Sequence, residues 1–267
     1  MMRIIVCMKQ VPDPEGPRES FVVNNEEMRV VPQGIPPVLS LFDENALEAA
    51  LRIKDKNPQD VKVSILSIGK RVSNAVMFKA LAAGADELIK VEDSQFMTSR
   101  LDSFATATIL AKAIENAGDF DLILVGRQAA DWNAGQVGII LSGILNIPCV
   151  TLAQGVDVNG STLTVERVLS NGIETVRTHL PAIVMVSNEI GELRYPAMKE
   201  RREAKKKPVT EWNISDIGLS RIPPARIKLK RLFTPEMAAG NCLYLTDTTL
   251  EDAGRKLALL LKADGMI

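Results

Sequence analysis

The run Gly126-Arg127-Gln128-Ala129-Ala130-Asp131-Trp132-Asn133-Ala134-Gly135-Gln136-Val137-Gly138 carries more chemistry than any other part of the chain. It follows the apolar segment Asp121–Val125. Ligands of open α/β sheets bind beyond the carboxyl ends of such strands, where the strand order reverses. Gly126 and Gly135 allow tight turns and close backbone approach. Gly135-Gln136-Val137-Gly138 opens a helical pattern whose first N–H groups lack an acceptor within the helix and could hold a phosphate. An ordinary polar strand-to-helix loop would look the same, and the pattern leaves both readings open. Gly69-Lys70-Arg71 is a second place where backbone could meet phosphate, or simply a turn. No GxxxxGK[ST] loop and no strand-borne GxGxxG occurs, which removes support from a P-loop enzyme and from a dinucleotide dehydrogenase.

Other catalytic constellations are short of parts. The chain has one histidine, His179, and three cysteines, Cys7, Cys149 and Cys242, far apart in sequence. A structural zinc needs about four soft or imidazole ligands and would consume nearly every candidate. A Ser-His-Asp triad would have to use His179, which, like Met185, lies in a strand pattern and reads as structural. The cysteines suit a reducing compartment, each a small buried hydrophobe rather than a reagent. Lys and Arg number 32 against 33 Asp and Glu, a net charge of −1, which argues against a general nucleic-acid or acidic-membrane footprint. The run 199–207 has six basic residues and two glutamates, without neighbouring aromatics; it reads as a solvated face or a docking surface rather than a nucleic-acid patch. No segment reaches the roughly 18 apolar residues of a membrane span, and Ile4–Met8 is too short for a signal-peptide core, so no membrane insertion and a cytoplasmic location are expected.

The elements that must position the loop follow an α/β grammar. The 267 residues, 46% hydrophobic and 24% charged, suffice for one large domain, or for one domain with an extension. Arg3–Met8, Val61–Ile68 and Asp121–Val125 have continuous apolar runs, as strands buried on both faces do. Between them Asp43–Lys56, Val72–Ala83 and Asp102–Asn116 carry helical spacing, and Ser40-Leu41-Phe42-Asp43 has the form of a capping box. The alternation predicts a parallel sheet covered on both faces. Gln136–Leu145 reads as a further helix and Cys149–Leu152 as another strand. Val156–Asn159, Thr162–Leu169 and Ile173–His179 then alternate, joined by Asn159-Gly160 and Asn171-Gly172, which predicts an antiparallel excursion before the chain returns with Ala182–Val186. From Asn188 the core pattern fades into a proline-containing extended stretch running to about Pro235, and Leu250–Lys262 closes the chain as a helix. The expected division is a nucleotide-binding α/β domain over 1–187 and, over 188–267, a recognition loop and C-terminal arm. An arm so poor in core should lie on a partner subunit, with folding back as the alternative.

Several stretches together resemble the beta subunit of electron transfer flavoprotein. They are Ile5-Val6-Cys7-Met8-Lys9-Gln10-Val11-Pro12-Asp13, Phe42-Asp43-Glu44-Asn45-Ala46-Leu47-Glu48-Ala49-Ala50, Ala80-Leu81-Ala82-Ala83-Gly84-Ala85-Asp86 and the loop from Gly126 to Gly138. Leu180-Pro181-Ala182, Arg194-Tyr195-Pro196 and Lys205-Lys206-Lys207 extend the likeness over roughly residues 1–210, in order. The resemblance implies a Rossmann-like sheet of the adenine-nucleotide hydrolase type. It implies a heterodimer with an alpha subunit, FAD held mainly by that subunit, and electron flow from a flavin-dependent dehydrogenase, such as an acyl-CoA dehydrogenase, to a downstream acceptor. AMP would meet Cys7, Ser40, Leu41, Phe42, Asp43 and Ile68, and chiefly the loop Gly126, Arg127, Gln128, Ala129, Ala130, Asp131, Trp132, Asn133, Ala134, Gly135, Gln136 and Val137. Phe42 would approach the partner's flavin. Asn188–Lys205 resembles the family's recognition loop, with Arg194, Tyr195 and Met198 toward the partner, and Met198 standing where a leucine is usual.

Electron-bifurcating members bind a second FAD in place of AMP, with Asp-Gly-Asp-Thr before Gln-Val-Gly. Here Trp132 replaces the glycine and Asn133 the second acid, which favours AMP. The leading expectation is an electron-carrier subunit with no catalytic residue of its own. The alternatives are a bifurcating subunit that oxidises NADH with a second FAD, and a lone nucleotide sensor resembling universal stress proteins.

Overall fold

The computed structural model describes residues 1–96, 101–235, 242–246 and 249–267. Two units divide the chain, Met1–Leu232 and Phe233–Ile267.

The first unit begins with β1, Met2–Cys7, whose residues Ile4, Ile5 and Val6 are wholly buried, as the unbroken apolar run requires. Residues 10–39, in which the sequence shows no strong periodicity, form short antiparallel pieces: β2 (Gln10–Pro12) pairs with β5 (Pro37–Leu39), and between them β3 (Phe21–Asn24) with β4 (Arg29–Pro32). The chain then enters α1 (Leu41–Lys56), β6 (Val61–Gly69), α2 (Asn74–Ala83), β7 (Glu87–Glu92), α3 (Ser103–Ala117), β8 (Leu122–Gly126) and α4 (Val137–Leu145). Next come β9 (Cys149–Asn159), β10 (Thr162–Leu169), β11 (Gly172–His179), β12 (Ala182–Val186), α5 (Met198–Ala204) and β13 (Val209–Trp212).

One nine-stranded sheet results, in the order β11-β10-β9-β12-β8-β1-β6-β7-β13. Pairing is parallel from β9 to β13 and antiparallel through β9-β10-β11, the hairpin excursion expected from the two Asn-Gly turns. Alternate residues of each parallel strand feed two cores. Ile4, Val6, Val63, Ile65, Leu124 and Val184 pack beneath α1 and α2. Ile5, Cys7, Leu66, Ile123, Val125 and Met185 pack beneath α3 and α4.

Three features differ from the sequence expectation. Cys149–Leu152 and Val156–Asn159 are one strand: β9 pairs in parallel with β12 at its start and antiparallel with β10 at its end, and Leu152 takes φ 58° where the pairing register shifts. β7 was hidden by its charges, yet Lys90 is buried there because Glu92 and Glu211 accept from it at 3.2 and 2.7 Å. The stretch after Asn188 is also less bare than its pattern suggests. β13 adds the last parallel strand beside β7, and Ala204, Ile214 and Ile217 are buried in the cores.

The second unit contains α6, Leu250–Ala263. Thr249 caps it by accepting from Asp252 N–H at 3.1 Å, and Leu250, Leu257 and Leu259 are exposed. Residues 236–241, 247 and 248 of the expected arm lie outside the described residues. Among the described residues no helix is long and apolar enough to cross a membrane.

Candidate functional site

The chain leaves β1 for β6 on one side and later returns to β8 on the other. In open α/β sheets such a reversal leaves a crevice beyond the carboxyl ends of the diverging strands, here those of β1 and β8. The polar residues at the start of α1 are turned toward it. Ser40 is the N-cap of α1 and is wholly buried, but its hydroxyl does not cap the helix. It accepts instead from Ala130 N–H, at 3.4 Å. Asp43 does not reach back to the N-cap: one oxygen accepts from Lys9 N–H at 2.8 Å and the other from Gly126 N–H at 3.2 Å. Both halves of the expected capping box are thus diverted to hold the loops after β1 and β8. The reason is burial: a carboxylate enclosed between two strand ends satisfies the nearest orphan N–H groups, whichever element they belong to.

Gly126 serves this arrangement directly. A Cβ there would lie 2.5 Å from Asp43 Oδ1 and 2.7 Å from the Phe42 carbonyl carbon, so only glycine fits beside the carboxylate. Gly138 is likewise a packing glycine, its missing Cβ replaced by Met185 and Val125. Gly135 is the one that needs its conformational freedom, at φ 63°.

Arg127 fixes the far side of the crevice. Its N–H donates to Val186 O, its guanidinium donates to Ser187 Oγ at 3.1 Å, and the same group lies 4.9 Å from the centre of the Phe42 ring. The loop then closes on itself, with Asn133 N–H donating to Ala129 O and Gln128 Nε2 to Asn133 Oδ1. Asn133 takes φ 49° in this turn. Trp132 stands 46% exposed at its tip. Lys9 Nζ reaches Asp131 at 2.6 Å, joining the loops after β1 and β8 by a second contact. At the loop's end Gln136 precedes α4 without a side-chain cap, and the first helical bond is Ile140 N–H to Gln136 O. The N–H groups of Val137, Gly138 and Ile139 are therefore left for something else to satisfy.

The remaining site residues named from the sequence also gather here. Cys7 ends β1 and is buried, and loss of solvent, with Asp43 adding to it, pushes its thiol up. Ile68, near the end of β6, packs with the core that contains Cys7, and Leu41 is exposed on the first turn of α1. Burial pushes Asp43 up to about 7, against the Lys9 and Gly126 hydrogen bonds that favour its ionised form.

Sequence reasoning missed the stitching. Gln10 donates to Arg71 O at 2.6 Å and accepts from Ser73 N–H at 2.8 Å, tying β2 to the loop after β6. Glu92 accepts from Val72 N–H at 2.8 Å, tying that loop to β7. With Asp43 and Arg127, these single side chains link the carboxyl ends of β12, β8, β1, β6 and β7. A polar residue just past an apolar strand, such as Gln10, was the available signal.

The residues expected to face a partner divide. Arg194 spends its guanidinium on Glu48 and Asp55. Its N–H also donates to Glu48 at 3.1 Å, and Glu48, nearly buried, is held below the usual range by these bonds against its burial. Tyr195 and Met198 are 83% and 67% exposed, and Arg201 lies over the Tyr195 ring. Within the basic run, Lys207 is turned inward onto Leu81 O and Ala85 O, at 2.8 and 2.6 Å, at the end of α2. A cavity of about 210 Å³ lies at the opposite end of the sheet, lined by Met2, Ile53, Lys56, Asp60, Val61 and Val158.

A family model described as electron transfer flavoprotein domain matches residues 28–217. The chain is 33% identical over 270 residues to the caffeyl-CoA reductase-Etf complex subunit CarD of Acetobacterium woodii, with 100% of each chain covered. It is 32% identical over 265 residues to the electron transfer flavoprotein subunit beta of Megasphaera elsdenii, with 94% of each covered.

Proposed function

Because the chain belongs to the electron transfer flavoprotein family, as a beta-type subunit in flavin-associated electron transfer, we propose that it binds AMP in the crevice between β1 and β8. In this reading it pairs one-to-one with an alpha subunit, and FAD is held mainly by that subunit. Electrons pass from a flavin-dependent dehydrogenase, such as one acting on acyl-CoA, to a downstream acceptor. The observation that carries the nucleotide assignment is the uncapped start of α4 at the switch point, in a loop whose first residues, Gly126 and Arg127, are held by Asp43 and Ser187. Backbone N–H groups and the positive end of a helix suit one phosphate. The supply of side-chain cations is small, since Lys9 is paired with Asp131, which leaves Arg127, whose side chain rests on the neutral groups of Ser187 and Phe42, as the cation at the loop's start. This favours a monophosphate over the pyrophosphate of a second FAD.

The flavin supplies the redox chemistry when bound; the protein's share is to place and surround it. Phe42, held under Arg127 at the crevice mouth, is the side chain we assign to the flavin side. Tyr195 and Met198, exposed beside α5, are assigned to the dehydrogenase, with the basic residues of α5 steering an acidic surface. Arg194 contributes by fixing that segment to α1 rather than by reaching outward. The arm over 233–267 is assigned to the alpha subunit. Three free cysteines accord with a cytoplasmic location.

A second reading is electron bifurcation with a second FAD. It is favoured by the exposure of Trp132, an indole that does not itself fill the crevice, and by the likeness to a subunit of a caffeyl-CoA reductase-Etf complex. Nucleotide extraction from the chain co-expressed with its alpha subunit decides between them. One FAD and one AMP per pair is the expected result. Two FAD without AMP would establish the second reading, and a preparation without flavin would remove both.

A further inference from the structure

Asp43 lies at the reversal of strand order, and both of its oxygens are committed to backbone. It accepts from Lys9 N–H, just after β1, and from Gly126 N–H, at the end of β8. These two strands are neighbours in the sheet, paired from Ile4↔Leu122 to Cys7↔Val125. Beyond their ends the loops diverge, and one carboxylate replaces the ladder that has run out. The packing admits little else, since the Cβ that Gly126 lacks would strike the same oxygen.

We propose that Asp43 is a positioning residue: its carboxylate fixes the spacing of the two crevice-lining loops, and nucleotide affinity depends on its being ionised. The proposal rests on the nucleotide reading given above and assigns no contact between Asp43 and the nucleotide. Ionised, the group offers acceptors to both N–H groups. Protonated, one oxygen becomes a donor and confronts an N–H, so one loop loses its tether.

The charged and titratable surroundings set where this happens. Cys7, on β1, is neutral and buried. Lys9 and Asp131, from the two loops, act in opposite directions on Asp43, the ammonium favouring the anion and the carboxylate opposing it. Arg127 keeps its positive charge, and its side-chain contacts are to the neutral Ser187 and Phe42. On α1 itself, Glu44 is paired with Lys79, and Glu48 with Arg52 and Arg194. β12, beyond β8, presents only apolar residues. Burial dominates, and the group titrates near neutrality, at about 7.

The test is AMP affinity of the full chain from pH 6 to pH 8, for the natural protein and for Asp43→Asn, with hydrogen-exchange protection of the Lys9 and Gly126 amides over the same range. The AMP phosphate's own second ionisation, near pH 6, contributes equally to both proteins and cancels in their ratio. Relative to the variant, the natural protein should lose about tenfold in affinity between pH 8 and pH 6, as expected if only the ionised form binds. Protection at both amides should fall in step. If the variant folds poorly, hydrogen-exchange protection of the Lys9 and Gly126 amides across the pH series of the natural protein, which does not depend on the AMP phosphate, still decides. Flat protection across the range, with AMP bound throughout, would overturn the proposal and leave the nucleotide reading standing. If no AMP bound at any pH, the nucleotide reading would fail and the coupling with it, while pH-dependent protection would still identify the tether.

Discussion

At the scale of single residues, the site is defined by groups whose ordinary behaviour burial has altered. Asp43 is the clearest. Burial raises its pKa to about 7, so between about pH 4 and pH 7 the folded chain keeps a proton that the unfolded chain has released. Its contribution to stability is therefore complete below pH 4 and lost as pH rises through 7. Asp43→Asn cannot ionise, and its stability relative to the natural protein should improve by roughly 3 kcal/mol from pH 5 to pH 8. Urea denaturation at the two pH values measures this, and an unchanged difference would mean that Asp43 is ionised throughout. Gly126→Ala should cost about 1–3 kcal/mol and lower AMP affinity, because the added methyl displaces the same carboxylate; thermal denaturation and an AMP titration read the two effects separately. Trp132, exposed at the loop tip, should change its fluorescence on addition of AMP, and Trp132→Phe should remove that change while Trp212 remains. An identical response in the variant would show that the indole stands clear of the nucleotide.

At the scale of elements, α1 is the organiser. Its buried polar residues point one after another to different parts of the chain: Ser40 to Ala130, Asp43 to Lys9 and Gly126, Asn45 to Gly191 O, and Glu48 to Arg194. The crevice and the segment carrying Tyr195 and Met198 thus hang from one helix. Arg194→Ala should cost about 1–2 kcal/mol, below the usual figure for opening a buried pair because Arg194 is a third exposed and Arg52 still serves Glu48. Limited proteolysis should become faster within residues 188–198, with AMP affinity unchanged. Equal cleavage rates would show that the segment is held elsewhere. None of this wiring was legible in the sequence, although the helix was. Apolar runs and Asn-Gly turns announce strands and hairpins, because they encode burial and backbone twist locally. The partner of a buried carboxylate is decided by which strand ends meet, and that depends on the whole sheet. β7 and β13 escaped notice for the related reason that Lys90 and Glu211 look like surface residues until they are placed side by side. The position of the loop Gly126–Val137 after a central strand and of Ser40–Asp43 at the start of a helix was legible, whereas the bonds that Ser40 and Asp43 make to that loop were not.

At the scale of the whole molecule, the unit Met1–Leu232 has both cores and the entire sheet, and Phe233–Ile267 has a helix without a buried residue. A chain ending at Leu232 should keep its far-ultraviolet circular dichroism and cooperative melting, yet fail to copurify with the alpha subunit. Retention of the complex would free the arm from the role assigned to it. The placement of β1 bears on how such a chain comes into being. β1 is a central strand, and its two neighbours, β6 and β8, follow it in the chain only after α1 and again after α3. Until then its apolar residues and both hydrogen-bonding edges are open. The far edge beyond β7 closes later still, when β13 arrives. Such long-range parallel pairing folds slowly, because loop closure must precede any reward. The nascent chain is therefore a natural client for chaperones, and its yield should respond to translation speed and temperature more than the stability of the finished sheet would suggest.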